Sequence, residues 1–110
     1  MTFSLVARCK QTGMLGTAVT SSSPAVAARC SYTRANVGAV STQNVTDPSL
    51  GNKSLDFLET GLSSSKVIEK IKSTNHHLEY RQVLIIDSKG ETAIHSGKNS
   101  LGIWNDAIGD

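Results

Sequence analysis

The residue with the most chemistry open to it is the second one. Thr2 follows Met1 directly and begins a stretch of alternating character. With Met1 removed, Thr2 would carry a hydroxyl nucleophile beside a free α-amine. An amine with a pKa of about 8 can act as general base for that hydroxyl. The chemistry requires Thr, Ser or Cys at a mature terminus and is open to no other position in the chain. The plain alternative is an ordinary Met-Thr start with no catalytic role.

A second group lies at the ends of two expected strands. Ser22 and Ser23 close one, and Thr42, Gln43 and Asn44 close another. Hydroxyls and side-chain amides in such places can bind a substrate or stabilise an oxyanion. The same residue types also cap strand ends and line turns.

Histidines supply less. His76 and His77 are neighbours in a polar connection, and adjacent residues on an extended chain face opposite ways, which makes a poor chelate. His95 shares a strand face with Ala93 and reads as a neutral, partly buried imidazole. There is no H-E-x-x-H motif, cysteine cluster or carboxylate cage, so no metal and no cofactor are expected. A phosphate-cradling glycine loop and a G-x-S-x-G elbow are both missing. Cys9 and Cys30 do not form a C-x-x-C pair and are expected to be small, buried, free thiols.

Composition narrows the class. The chain has 110 residues, which suits a single domain spanning 1–110, whole or truncated. Hydrophobic residues make up 38% and charged residues 18%, enough apolar content for a real core. The net charge is +2 with no basic run, and five aromatics are too few for a base-stacking platform. Nucleic acid is therefore not an expected partner. No apolar stretch is long enough to span a membrane, and the start MTFSLVARCK lacks the basic and apolar regions of a signal peptide. A cytoplasmic location is the resulting expectation.

These residues need elements to position them. Thr2 to Arg8 and Leu15 to Ser22 read as two strands around the turn Gln11-Thr12-Gly13, a β-hairpin. Pro24 breaks the pattern, and Ala25 to Cys30 fit helix or buried strand equally. Val37 to Gln43 reads as a strand in which Gly38 signals a bulge or a close approach. Leu55, Leu58 and Leu62 are spaced for an amphipathic helix from Leu50 to a stop near Gly61. Ser63 can cap a second helix running to Lys72. Arg81 to Asp87 is a buried-strand run, Ser88-Lys89-Gly90 a turn, and Thr92 to Ser96 the return strand. Runs of strands with two consecutive helices between them predict an α+β layered fold. The apolar stretch from Leu101, with Trp104, suggests a chain that continues or a place where another chain packs.

Several segments together resemble one family. They are Met1 to Arg8, Thr12-Gly13 with Leu15-Gly16 and Ala18-Val19, Val37 to Val40, Thr42-Gln43, and Pro48-Ser49 before Gly51. Leu55-Asp56, Leu58-Glu59, Gly61-Leu62-Ser63, Arg81-Gln82-Val83, Asp87 with Gly90, and His95-Ser96-Gly97 follow in the same order. This order resembles the domain-of-unknown-function 1028 family of bacteria and archaea, placed in the N-terminal-nucleophile (Ntn) hydrolase superfamily. The resemblance implies an αββα sandwich, of which this chain would hold the N-terminal half. It also implies hydrolysis of an amide bond with Thr2 as nucleophile, and Thr42 and Gln43 lining the cleft. Arg8, Arg81 and His95 match the family too and are expected to be structural or to border the site. Cys9 stands where the family usually has Asp. The competing expectation is a non-catalytic α+β sandwich that binds a small molecule or assembles with copies of itself, and a homo-oligomer is expected under both.

Overall fold

Alternation builds the first element. In this computed structural model, which describes residues 1–110, strands β1 (Thr2–Arg8) and β2 (Leu15–Ser21) pair antiparallel. Thr2 lies opposite Ser21 and Arg8 opposite Leu15. Every second residue is half-buried and its neighbours are exposed, so the hairpin has an inner and an outer face. Thr2, Ser4, Val6 and Arg8 point inward. Phe3, Leu5 and Ala7 point outward.

The segment that sequence left open between helix and strand is a single helical turn, α1 (Ala27–Cys30). Strand β3 (Ser31–Arg34) follows at once and was not expected. Only four residues long, with Tyr32 as its one large apolar side chain, it has too little alternation to announce itself. Pairing with the next strand makes it.

β3, β4 (Gly38–Asn44), β5 (Arg81–Asp87) and β6 (Thr92–Ser96) form a four-stranded antiparallel sheet in chain order. Between β4 and β5 come helices α2 (Ser49–Glu59) and α3 (Ser64–Thr74), then a 3₁₀ turn over Leu78–Tyr80. The Ser63 hydroxyl accepts a hydrogen bond from the Lys66 N–H at 3.3 Å, the expected N-cap of α3. The result is a mixed α+β fold with two sheets and three helices, and no helix is long and apolar enough to cross a membrane.

The helices cover one face of the four-stranded sheet. Leu50, Leu55 and Leu58 of α2 and Val67, Ile68 and Ile71 of α3 pack on Val40, Val83 and Ile85. Two glycines permit this closeness. The ladder runs unbroken through Gly38, so no bulge forms there. A Cβ on Gly38 would sit 2.6 Å from Leu58 Cδ1 and 2.7 Å from the Ile86 carbonyl oxygen. Gly51 leaves α2 room against the ring of Tyr32, where a Cβ would overlap it. Cys30 is buried as expected, but Cys9 is exposed. Cys9 lies just past the end of β1, in the hairpin turn, where no element covers it.

Candidate functional site

The other face of the four-stranded sheet is the side toward the hairpin. Strand alternation puts Gln43, Gln82 and Ser96 on this face, directly opposite one another across β4, β5 and β6. β1 lies over them and lowers Ser4 onto Gln43. Residues 101–110, which adopt no helix or strand, run along the remaining side. Between them is a cavity of about 990 Å³. It is lined by apolar side chains, among them Val6, Leu84, Ile94, Leu101 and Trp104, and by a row of polar ones.

The polar row is a continuous chain of hydrogen bonds. Ser4 Oγ donates to Gln43 Oε1 at 2.6 Å. Gln43 Nε2 donates to Gln82 Oε1 at 3.0 Å. Gln82 Nε2 donates to Ser96 Oγ at 3.0 Å and to the Asn105 carbonyl at 3.3 Å. Ser96 Oγ donates to Asp106 Oδ2 at 2.6 Å. Gln43 is 7% exposed and Gln82 4%, so these amides could not have been left unpaired without cost. The chain links β1, three strands of the larger sheet and the C-terminal segment.

Thr2 lines the same cavity at the start of β1. Its hydroxyl lies 2.9 Å from Ser21 Oγ, its cross-strand partner. In this chain Met1 is in place, so the Thr2 nitrogen is a peptide nitrogen, and the Met1 amine donates to Ser22 Oγ at 3.4 Å.

The other sequence candidates separate. Gln43 is in the cleft, whereas Thr42, its neighbour on an alternating strand, is fully buried on the helix-facing side. Ser22 and Ser23 are exposed beyond the end of β2, and Ser21 instead meets Thr2. His95 is buried on the helix-facing side with its Nε2 3.0 Å from the Leu78 carbonyl, a structural tie. Arg81 clamps the connection, donating from Nε to the Val45 carbonyl and from Nη1 to that of His76, both at 2.7 Å. Arg8 is at the opposite end of β1 from Thr2, beside Gly13 and Gly90. No three His, Cys, Asp or Glu side chains converge.

Ser4, Ser21, Gln82, Ser96 and Asp106 went unread as site residues. Ser21 was recoverable by counting the hairpin register back from its turn, and Ser4 by alternation from Thr2. Gln82 is the one uncharged polar residue inside the run RQVLIID. Asp106 carries no signal, because the segment that holds it has no periodicity.

The titrations that the fold shifts lie outside the cleft. Hydrogen bonds from the Thr12 hydroxyl and backbone, and from the Gln11 backbone, lower the Cys9 thiol. Burial raises the Tyr32 phenol. Burial alone would raise the Asp47 carboxyl, but the Ser49 hydroxyl and N–H, with Arg81 and Lys53 nearby, hold it below its ordinary value.

Fold and site thus define a two-sheet α+β protein with a polar-walled cleft at its N-terminus. Residues 2–110 match the family of unknown function DUF1028, and the chain belongs to that family. It is similar to the crystal structure of protein SPO2555 from Silicibacter pomeroyi, described under the same family, with a TM-score of 0.85 at 25% identity. The likeness covers 90% of this chain and 44% of that one, so the chain spans less than half of its solved relative. No curated protein matches it.

Proposed function

We propose that the cleft is the site of an Ntn-type hydrolase acting on an amide bond, with Thr2 as the nucleophile once Met1 is removed. The observation that carries this reading is the position of Thr2. The residue type that can serve as an N-terminal nucleophile opens β1 on its inner face and lines the cavity of about 990 Å³. The Thr2 hydroxyl attacks the substrate carbonyl, and the freed α-amine takes the hydroxyl proton and returns it to the leaving amine. An acyl-enzyme ester forms, and water releases the acid. Gln43 is the candidate oxyanion donor, since it lines the cavity and has a second Nε2 proton with no partner.

The same proposal extends to the architecture. The outer face of the hairpin, with Phe3 71% and Leu5 53% exposed, is where the further layer of an αββα sandwich would pack. The test of the activity is the Thr2→Ala variant of a chain that has lost Met1. Turnover of an amide substrate should cease while the circular dichroism spectrum is unchanged, and persistent turnover would refute the mechanism.

A second reading, a non-catalytic protein that assembles with copies of itself in the cytoplasm, draws on the exposure of Phe3, Leu5, Ile103 and Ile108. Light scattering during size exclusion tests it, and a strict monomer counts against it.

A further inference from the structure

The hydrogen-bond chain has a direction, and the direction is fixed by its ends. The Asp106 carboxylate and the Asn105 carbonyl can only accept. Ser96 must therefore donate its one proton to Asp106 and accept from Gln82. Both Nε2 protons of Gln82 are then committed, to Ser96 and to Asn105, which turns its Oε1 toward Gln43. Gln43 must present Nε2 to Gln82 and Oε1 to Ser4. Ser4 in turn gives its only proton to Gln43. What Ser4 offers the cavity is lone pairs alone, and what Gln43 offers is its one uncommitted Nε2 proton.

We infer that this acceptor and donor pair makes the cleft selective for carboxamides with an N–H, recognised by N–H donation to Ser4 Oγ and by carbonyl acceptance from Gln43 Nε2. An ester has the same carbonyl but no donor, so it leaves Ser4 unmatched. A carboxylate brings only acceptors to an acceptor and lies in the same cavity as the Asp106 carboxylate. The apolar wall of Leu84, Ile94 and Trp104 suits a short aliphatic group on the carbonyl carbon. This deepens the hydrolase reading and rests on its assignment of the cleft as the site.

The test is binding, on the Thr2→Ala chain, which cannot turn over. Isobutyramide, methyl isobutyrate and isobutyrate are titrated separately while the glutamine side-chain amide resonances are followed by ¹H–¹⁵N spectroscopy. Isobutyramide should move the Gln43 resonances and bind about tenfold or more tighter than the ester or the acid. Ser4→Ala should bring the amide down to the level of the ester, with the backbone spectrum reporting that the fold is kept. An ester that binds as tightly as the amide overturns the inference, as does an amide preference that survives Ser4→Ala. If the preference holds while a chain beginning at Thr2 hydrolyses no amide, the hydrolase reading fails and the recognition stands.

Discussion

The two faces of the four-stranded sheet are made by the same strands and do opposite things. On the helix side, Val40, Val83 and Ile85 are fully buried against leucines, valine and isoleucines of α2 and α3. On the hairpin side, Gln43, Gln82 and Leu84 of the same two strands border a cavity, with the polar row tied together by hydrogen bonds. A period of two residues allows this division, because alternate side chains of one strand point to opposite faces of the sheet. Core packing and cavity lining thereby fall to opposite faces, and substitutions on the two faces should fail differently.

The largest effect is expected on the packed face. Ile85→Ala removes a fully buried side chain from the middle of the sheet and should cost about 3 kcal/mol, read as a lower denaturant midpoint. A loss below about 1 kcal/mol would mean that this face is not the main core.

A smaller loss is expected one register away. Gln82→Leu cuts the hydrogen-bond chain in the middle and leaves Gln43 Nε2 and Ser96 Oγ without their partner. Access to the cavity lets water replace part of what is lost, so the cost should be about 1–2 kcal/mol in the same unfolding measurement. A cost equal to that of Ile85→Ala would erase the distinction between the faces.

The smallest effect belongs to the rim of the helix layer. Asp47 accepts from the Ser49 N–H at 3.0 Å and the Ser49 hydroxyl at 2.7 Å at the start of α2. Because its folded pKa is depressed, its contribution is present above the unfolded value of about 4 and is lost as pH falls through the folded value. Asp47 is partly exposed, so solvent screening keeps this below about 1 kcal/mol. Asp47→Asn should flatten that part of the acid limb of a stability–pH curve, and an unchanged limb would exclude Asp47 as its source.

The contrast between the faces also explains what could be read from sequence. The packed face could be read: Leu55, Leu58, Val67, Ile68 and Ile71 have helical spacing, the run Arg81–Asp87 is a strand in full, and Thr92–Ser96 returns as expected. Hydrophobic periodicity reports burial against a single neighbour, and that is what these residues do. The cleft was legible only in part. Thr2 and Gln43 were recognised by their chemistry, but alternation carries Thr42 to the far side of its own strand. The row from Ser4 to Asp106 depends on how a hairpin, three strands and an irregular segment meet. That is a matter of long-range register, which local residue patterns do not encode.

The central claim is that the inner face of β1 is reactive at Thr2 when Thr2 is the terminus. The most direct measurement is acylation by a hydroxyl-directed electrophile, with the adduct located by peptide mass spectrometry, on chains beginning at Met1 and at Thr2. The account predicts an adduct on the Thr2 hydroxyl in the chain that begins there, and none on Thr2 when Met1 is retained. Equal labelling of Thr2 in both chains, or none in either, would contradict it.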